Sequence, residues 1–551
     1  MSPRLFCSLL FLGLLGVSHG QLDRERTMAL DALFGAWQTP KGPGGVVGIM
    51  DKGEMVYSRA FGMASLEYQV PNAPTTLFNA ASVSKQFTAL GVVLLYLEGK
   101  LDLDRNINDY LSDMPDFDRP ITLRQLLHHT SGLRSLHDML ALAGWRRDDL
   151  RTNEDLYRFL RQQQDLNFAP NDRYLYSNTG YMLMARIIEQ VTGEAFAPWI
   201  QGRVFGPLGM VDTYVEDQYD RVVPNNATSY TATGNDFKRA VEYWGYVGSG
   251  NMHTTIGDLL VYLANFSEPK KGWEAAFALM LTTDDFNDGT PNPYAFGVRL
   301  DTVYGKPRIQ HSGSIGGFRA FAASYPQEDV QIALLANFSK ADPGQLADAI
   351  TRIMFNAPEA EAPALPKLLP LRQWDFADTV GDYWDDAGQG GWQLLVQGDS
   401  LRAQNKLSRA RHTLLPTSKT SFVVLGQPEL RYDLLAQNGK GDALRITEKG
   451  RPIGFFVPYD SQPETDLSKY SGQFYSEELE TIYSIKLRDG KLYSHHMRHG
   501  EHPLKWIRKG VFQGRAPLDL IIYTEDPESG AKTLKVSNGR VKNAKFIKVN
   551  L

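Results

Sequence analysis

The stretch Asn79-Ala80-Ala81-Ser82-Val83-Ser84-Lys85 places a serine and a lysine three residues apart at the beginning of an apolar run. The run continues to Leu97 with hydrophobic residues at helical spacing and meets a glycine at position 99, which predicts an α-helix and its end. Three helical residues turn through about 300°, so Ser82 and Lys85 lie on one face. Because a lysine shielded from water can accept the proton of a serine hydroxyl, the stretch predicts a serine nucleophile that forms an acyl intermediate.

The length and composition describe an ordinary globular protein with several domains. The chain has 551 residues, of which 42% are hydrophobic and 22% charged, and its formal net charge is −5. This length predicts two to four domains. Since the chain has no excess of basic residues, nucleic acid is not an implied partner.

Residues 1–20 have the pattern of a signal peptide. Arg4 precedes an apolar run at positions 5–17, and the small residues Ser18 and Gly20 stand where a signal peptidase would cleave. The run is too short to span a bilayer, so we expect cleavage after Gly20 and a periplasmic or secreted protein without a membrane span. The only cysteine, Cys7, lies in this segment, so the mature chain would hold no disulfide.

The catalytic motif lies in a predicted domain of residues 21–355 with strands at both ends. Alternating or apolar runs predict strands at Gly44–Met50, Met55–Phe61, Phe296–Leu300, Arg308–Ser312, Phe318–Tyr325 and Val330–Asn337. Helical patterns follow Thr122 as an N-cap and cover Asn153–Gln163, Tyr181–Val191, Thr255–Phe266 and Gln345–Phe355. We therefore predict an α+β domain with one antiparallel sheet, built from both ends of the segment and flanked by helices.

The rest of the chain is predicted to form a linker and two β modules. Residues 356–371 are rich in Pro, Ala and Glu, which indicates a linker. Residues 372–463 and 464–551 consist of short alternating runs separated by turn residues, and Gly381-Asp-Tyr-Trp384 and Gly472-Gln-Phe-Tyr475 open the two stretches similarly. Each stretch fits a small antiparallel β-barrel.

A histidine-rich segment, His495-His496-Met-Arg-His499-Gly-Glu501-His502, lies in the last module. Neighbouring residues of a strand point to opposite faces, which separates the first two histidines. The segment therefore defines no clear set of metal ligands, and we predict a solvated turn and neither a metal nor another cofactor.

Two further motifs follow the Ser-x-x-Lys motif in a fixed order. Tyr176-Ser177-Asn178 stands on a predicted loop before a helix, and His311-Ser312-Gly313 ends a predicted strand. With Leu126-Leu-His-His-Thr-Ser-Gly132 and Pro207-Leu-Gly-Met210, these motifs resemble the serine β-lactamase and penicillin-binding protein superfamily over about residues 24–355. The chain is most similar to the class C β-lactamase-like branch, which includes esterases, D-aminopeptidases and DD-peptidases.

The resemblance implies a role for each motif residue. Ser82 would be the nucleophile, while Lys85 and Tyr176 would share the proton transfers, Tyr176 with a pKa lowered by nearby positive charge. Asn178 would hydrogen-bond the acyl side of the substrate. The backbone N–H groups of Ser82 and Ser314 would form the oxyanion hole.

The third motif departs from the family pattern, in which lysine usually stands at the position of His311. Ser312, Gly313 and Ser314 would still border the substrate, and His311 would belong to the catalytic set. Histidine is mostly neutral at pH 7, which weakens the case for substrates with a carboxylate at that point and favours esters or peptides with a free amino end. Arg319 could restore a cation nearby.

The sequence therefore predicts an exported serine hydrolase that acts on a small ester or peptide, as an esterase or a D-aminopeptidase-like peptidase. The alternatives are a cell-wall DD-peptidase, a weak β-lactamase or a non-catalytic binding protein of the envelope. The three-part layout also resembles D-aminopeptidase-type enzymes, in which a loop from one barrel can narrow the active site. The oligomeric state is left open.

Overall fold

The computed structural model describes residues 22–39, 41–234, 236–359, 365–369, 380–398, 400–408, 410–436 and 441–550. The predicted signal peptide and part of the predicted linker lie outside these residues. No helix within the described ranges is both long and apolar enough to cross a membrane.

A six-stranded antiparallel sheet forms the centre of the catalytic domain. Its strands lie in the order Arg299–Val303, Lys306–Ile315, Phe318–Tyr325, Val330–Ala336, Gly45–Asp51 and Glu54–Phe61. The N-terminal hairpin pairs with the last C-terminal strand, with Gly45 opposite Ala336. This arrangement confirms the prediction of one sheet built from both ends of the domain.

Apolar side chains on both faces of this sheet pack against helices. In the strand Gly45–Asp51, Val47 and Ile49 pack in one cluster with the helices at the two ends of the domain. Val46 packs in a second cluster with the central helices. Because successive side chains of a strand point to opposite faces, the almost uninterrupted apolar strand is buried on both sides.

The six predicted helices are present, and their ends differ from the prediction by a few residues. Leu136–Leu142, Phe196–Ile200, Gly206–Leu208 and Glu274–Met280 are helices that the pattern did not predict. The α-helices span Arg24–Leu33, Lys85–Leu97, Leu123–Leu127, Leu136–Leu142, Asn153–Arg161, Asn178–Thr192, Phe196–Ile200, Gly206–Leu208, Ile256–Ala264, Glu274–Met280 and Pro343–Met354. Thr122 caps its helix as predicted, since its side chain accepts from the Gln125 N–H and the Gln125 side chain accepts from the Thr122 N–H. Short strands at Phe78–Asn79, Met252–Thr254 and Tyr214–Val215 form a small sheet beside the Ser82 turn.

One strand begins later than predicted. The prediction was Phe296–Leu300, whereas the strand spans Arg299–Val303. Gly297 has a φ of +76°, and a Cβ there would lie 2.9 Å from the Lys85 carbonyl oxygen. The chain therefore turns closely past the helix of Lys85 before the strand starts, and only glycine allows both the turn and the approach.

Both C-terminal modules are antiparallel barrels, as predicted. The first is closed and consists of Gly381–Asp385, Gly390–Gln397, Ser400–Asn405, Arg411–Pro416, Ser421–Val424, Gln427–Ala436, Gly441–Glu448 and Arg451–Pro458. The second is a nearly closed sheet in the order Gly500–Pro503, Lys491–His496, Thr481–Arg488, Gly472–Ser476, Val541–Val549, Lys532–Asn538, Leu520–Glu525, Val511–Gln513 and Lys505–Arg508. The second barrel shares a hydrophobic core cluster with the catalytic domain.

The histidine-rich segment lies at this interface. His496 is buried against Gly144 of the catalytic domain, and His499 Nε2 donates to the Ala141 carbonyl oxygen at 2.9 Å. The prediction of a solvated turn is therefore wrong for His496, because the turn packs against the other domain. Across the described residues, no group of three or more His, Cys, Asp or Glu side chains is placed to hold a metal ion.

Candidate active site

Ser82 lies in a tight 3₁₀ turn, Ala81–Ser84, directly before the helix Lys85–Leu97. The preceding Ala81 has a φ of +50°, a left-handed conformation that is unfavourable for alanine. Its N–H donates to Asn79 Oδ1 at 2.9 Å, and its carbonyl oxygen accepts from Ser84 Oγ at 2.5 Å. These bonds hold the strained turn that presents Ser82, which is partly exposed, at the floor of the cleft.

Lys85 is completely buried, and its Nζ has three polar neighbours. Ser82 Oγ lies at 3.2 Å, Asn178 Oδ1 at 2.8 Å and the Ser249 carbonyl oxygen at 2.6 Å. No carboxylate lies within 4 Å of this Nζ in the described ranges. The lysine is therefore buried among neutral groups.

These surroundings favour the neutral amine of Lys85. Burial, and then the positive charge of Arg540, hold its pKa well below the ordinary value. A neutral amine has two N–H donors and one lone pair. Because the Asn178 and Ser249 oxygens can only accept, the two N–H groups point to them, and the lone pair is left to accept the Ser82 O–H. The geometry matches that of a base.

Tyr176 differs from the prediction in its protonation. Its hydroxyl is buried and makes no hydrogen bond of standard geometry, although Ser82 lies close enough to lower its pKa slightly. Burial outweighs this contribution and raises the pKa of Tyr176 above its ordinary value. The predicted lowering of that pKa by positive charge is wrong, because the cost of burying a tyrosinate exceeds the effect of Arg540 and Arg299.

Asn178 is the first residue of the helix Asn178–Thr192 and lies beside the nucleophile. Since its Oδ1 accepts from Lys85, its side-chain NH₂ is the group left to face the cleft. An amide donor in that position can bind a substrate carbonyl oxygen.

The strand Lys306–Ile315 forms the opposite wall of the cleft. Ser312 and Ser314 are exposed on it, whereas His311 and Gly313 are buried, as the alternation of a strand requires. A Cβ at Gly313 would lie 2.2 Å from the Ala80 carbonyl oxygen. The glycine therefore lets the strand approach the Ser82 turn, so that Ser314 and Ser82 line the cleft together.

We expect Gly313→Ala to fold but to lose about 10²-fold in kcat/KM, the size of effect seen when one oxyanion donor is lost. The methyl group would push the strand away from Ala80 and widen the gap between the two proposed oxyanion donors. Steady-state kinetics with an activated amide would measure the loss, and Gly257→Ala, where a Cβ meets no atom closer than 4.0 Å, is the control. Activity of Gly313→Ala within threefold of the wild type would contradict this role.

Both ring nitrogens of His311 are engaged by the protein. Nδ1 lies 2.6 Å from the Ser312 carbonyl oxygen, and Nε2 lies 2.9 Å from the Tyr294 hydroxyl. A carbonyl can only accept, so Nδ1 carries the proton and Tyr294 donates to Nε2. Burial lowers the pKa of His311 to about 3. The imidazole is therefore neutral and orients Tyr294.

Two cavities meet at Ser82. The larger, of about 920 Å³, is lined by Tyr176, Tyr294 and His311, and the smaller, of about 390 Å³, is lined by Glu242 and several arginines. Ser82, Asn178, Ser314, Arg319 and Arg540 border both. An acyl group and a leaving group can thus lie on opposite sides of the nucleophile.

Arg540 comes from the second barrel, at the turn between its last two strands. Its guanidinium lies 5.6 Å from the Tyr176 ring centroid, and its Nη1 donates to the Tyr176 carbonyl oxygen at 3.4 Å. Sequence reasoning identified neither Arg540 nor Tyr294. For Arg540, the one indication was the expectation that a loop from a barrel narrows the active site. No sequence signal indicated Tyr294.

Comparison with known proteins supports the assignment of the fold. Residues 30–353 match the sequence model of the Beta-lactamase family. A D-aminopeptidase of Brucella melitensis biotype 1 is 29% identical over 459 residues, which are 83% of this chain and 83% of that protein. A D-aminopeptidase of Gluconobacter oxydans is 26% identical over 310 residues, or 56% of this chain, and the match spans only 58% of that protein's length.

Solved structures show the same fold at lower identity. The octameric penicillin-binding protein homologue from Pyrococcus abyssi has a TM-score of 0.54 at 20% identity, covering 87% of this chain and 99% of that one. A D-stereospecific amidohydrolase from Streptomyces sp. has a TM-score of 0.50 at 22% identity, covering 58% and 97%. With a family match that spans more than half of its length, the chain belongs to the Beta-lactamase family and is a serine hydrolase.

Proposed function

We propose that this protein is an exported amidase or peptidase that acts on substrates with an N-terminal D-amino acid, through an acyl intermediate on Ser82. The contact set of Lys85 carries the proposal, because a buried neutral amine 3.2 Å from a serine hydroxyl is a base. The relatives named D-aminopeptidase support the substrate class. The signal-peptide pattern of residues 1–20 supports export.

In the acylation step, the Ser82 hydroxyl proton moves to Lys85 Nζ while Ser82 Oγ bonds to the amide carbon. The tetrahedral oxyanion is stabilised by the N–H groups of Ser82 and Ser314. The C–N bond then breaks, and the amine leaves with the Tyr176 hydroxyl proton. The Lys85 ammonium returns its proton to Tyr176, so both groups regain their starting states.

In the deacylation step, water attacks the ester carbon of the acyl intermediate and gives a proton to Lys85. The bond between the acyl carbon and Ser82 Oγ breaks, and Lys85 returns the proton to this oxygen. The product acid leaves and the enzyme is restored. In this scheme His311 is a positioning residue, since its ring nitrogens are occupied by Ser312 and Tyr294.

The structure also bears on the alternatives. The neutral His311, whose nitrogens are occupied, offers no cation for the carboxylate of a β-lactam or a D-Ala-D-Ala end, so such a substrate would depend on Arg299, Arg319 or Arg540, which line the same cavity. Esters fit the same acyl chemistry, because an alkoxide leaves more readily than an unprotonated amide nitrogen and therefore depends less on the Tyr176 proton. We therefore expect esterase activity as a second activity of the same site.

We expect a fluorophosphonate to add once to the wild-type protein and not to Ser82→Ala, as measured by intact-mass spectrometry. Ser529→Ala is the matched control and should still be labelled, because Ser529 begins a second, exposed Ser-x-x-Lys stretch, its Oγ bonds to Asp526, and it does not line the cleft. Hydrolysis of D-Ala-p-nitroanilide, L-Ala-p-nitroanilide, p-nitrophenyl acetate and a chromogenic cephalosporin would then define the substrate. Absence of both label and turnover would favour the non-catalytic binding protein.

A further inference from the structure

The smaller cavity beside Ser82 is rich in cations. We name it the arginine pocket and define it by Arg147, Arg151, Arg319 and Arg540. The carboxylates that line it are Asp138 and Glu242. The lining thus carries four positive charges and at most two negative ones.

Only one of the four arginines has an ionic partner in the part of the chain that the structure describes. Arg540 Nε lies 3.3 Å from Asp138 Oδ2. Arg147, Arg151 and Arg319 have no carboxylate oxygen within 4 Å there. Arg319 Nη1 instead donates to the carbonyl oxygens of Gly316 and Phe318 at 3.0 and 2.7 Å.

Arg151 is the most unusual of these cations, because it is only 3% exposed. Its Nη1 lies 3.3 Å from His137 Nδ1, its Nη2 donates to the Arg146 carbonyl oxygen at 2.9 Å, and its Nε is buried without a hydrogen-bond partner. His137 is neutral, since burial and Arg151 hold its pKa well below the ordinary value. A buried guanidinium with no carboxylate within 4 Å is costly, and an anionic ligand at contact distance would lower that cost.

The position of the arginine pocket indicates which part of the substrate binds there. Tyr176, the proposed proton donor to the leaving group, borders only the larger cavity. The leaving group therefore lies in the larger cavity and the acyl group in the arginine pocket. Glu242 also lines this pocket. Burial raises the pKa of its carboxyl to about 7, and the carboxylate can bind the ammonium of a D-amino acyl group.

We propose that the arginine pocket binds a carboxylate carried by the acyl portion of the substrate, so that acidic D-amino acyl groups, D-glutamyl or D-aspartyl, are preferred. This inference rests on the proposed function and specifies its substrate. Guanidinium–carboxylate pairs are among the stronger polar contacts that a protein can offer.

D-Glutamyl and D-glutaminyl p-nitroanilides form a test pair, since they have almost the same shape and differ in one charge. The wild type should prefer the glutamyl substrate by roughly tenfold or more in kcat/KM, as expected for a charge-assisted contact. Arg147→Gln should reduce this ratio at least threefold, and Arg147→Glu should bring it to about one or below. Arg147 is chosen because it is exposed and lies outside the contacts of Ser82 and Lys85.

The matched control is Arg146→Gln, which removes the neighbouring exposed arginine. Arg146 pairs with Asp148 and does not line the pocket, so the ratio should keep its wild-type value. Melting temperatures of all variants would show that they are folded. A second readout needs no turnover: D-glutamate should raise the melting temperature of Ser82→Ala more than D-glutamine does.

The outcomes separate this inference from the proposed function. If D-Ala-p-nitroanilide is hydrolysed but the glutamyl substrate is not preferred, or a D-lysyl substrate is, the inference is wrong and the proposed function stands. If Ser82 is labelled but no D-amino acyl anilide is hydrolysed, the proposed function fails and the inference fails with it.

Discussion

Replacing Lys85 with methionine is expected to leave the protein folded and to reduce kcat/KM roughly 10³-fold, in the middle of the range for general-base catalysis. Methionine is similar in length and apolar, so it suits a position that is 0% exposed and close to Tyr181. The substitution removes the lone pair that accepts the Ser82 proton. Steady-state kinetics with an activated amide would measure the loss, and Lys271→Met on the exposed surface should retain full activity.

The pH dependence of the wild type provides a second measurement of the same role. A base works when it is unprotonated, so activity should fall as the pH drops through the depressed pKa of Lys85. We therefore expect full activity well below the ordinary lysine value of about 10.4, and a loss on the acidic side. Lys85→Met should lack that acidic limb in its residual activity. If Lys85→Met keeps activity within tenfold of the wild type, Lys85 is not the base.

Much of the fold could be predicted because its signals are local. The hairpin at Gly45–Phe61 is defined by apolar alternation and a turn, and the helix after Thr122 by its cap. Because Ser82 and Lys85 are three residues apart, they lie on one face of the helical turn in any tertiary surroundings. The strand that starts at Arg299 was predicted too early because Gly297 turns to pass the helix of Lys85, and such a contact is invisible in a local window.

The electrostatics of the site could not be predicted from motifs. The pKa of Tyr176 depends on burial, which several segments produce together, and the sequence alone gave the wrong direction. Arg540 belongs to another domain. Both ring nitrogens of His311 are hydrogen-bonded, one to the Tyr294 hydroxyl and the other to the Ser312 carbonyl oxygen. Each of these features arises from contacts between residues far apart in the chain or from local geometry that a motif does not encode.

The buried ion pair between the catalytic domain and the second barrel is expected to show the largest effect on stability. Arg134 Nη1 lies within hydrogen-bond distance of both carboxylate oxygens of Glu478, and the two residues are 1% and 3% exposed. Glu478→Ala leaves a buried guanidinium without a counter-charge, so we expect a loss of about 3–5 kcal/mol in the free energy of unfolding. Chemical denaturation monitored by fluorescence would measure it.

The same substitution should also affect catalysis. Arg134 donates to the Lys542 carbonyl oxygen, and the next residue, Ser135, donates its N–H to the Arg540 carbonyl oxygen at 3.3 Å. The ion pair thus holds the turn that carries Arg540 beside Tyr176. With Glu478→Ala we expect a lower kcat/KM at a temperature where the variant is still folded, as near-ultraviolet circular dichroism would establish.

Two further variants test whether the loss of stability comes from the unpaired buried charge. Glu480→Ala removes the exposed partner of Arg158 on the same segment, and its cost should be below about 1 kcal/mol, as for surface ion pairs. The double variant Arg134→Met/Glu478→Leu removes both buried charges and should be more stable than Glu478→Ala, because the penalty comes from the unpaired charge. If the double variant is instead as unstable as Glu478→Ala, the loss reflects the missing polar contacts of Arg134 rather than its unpaired charge.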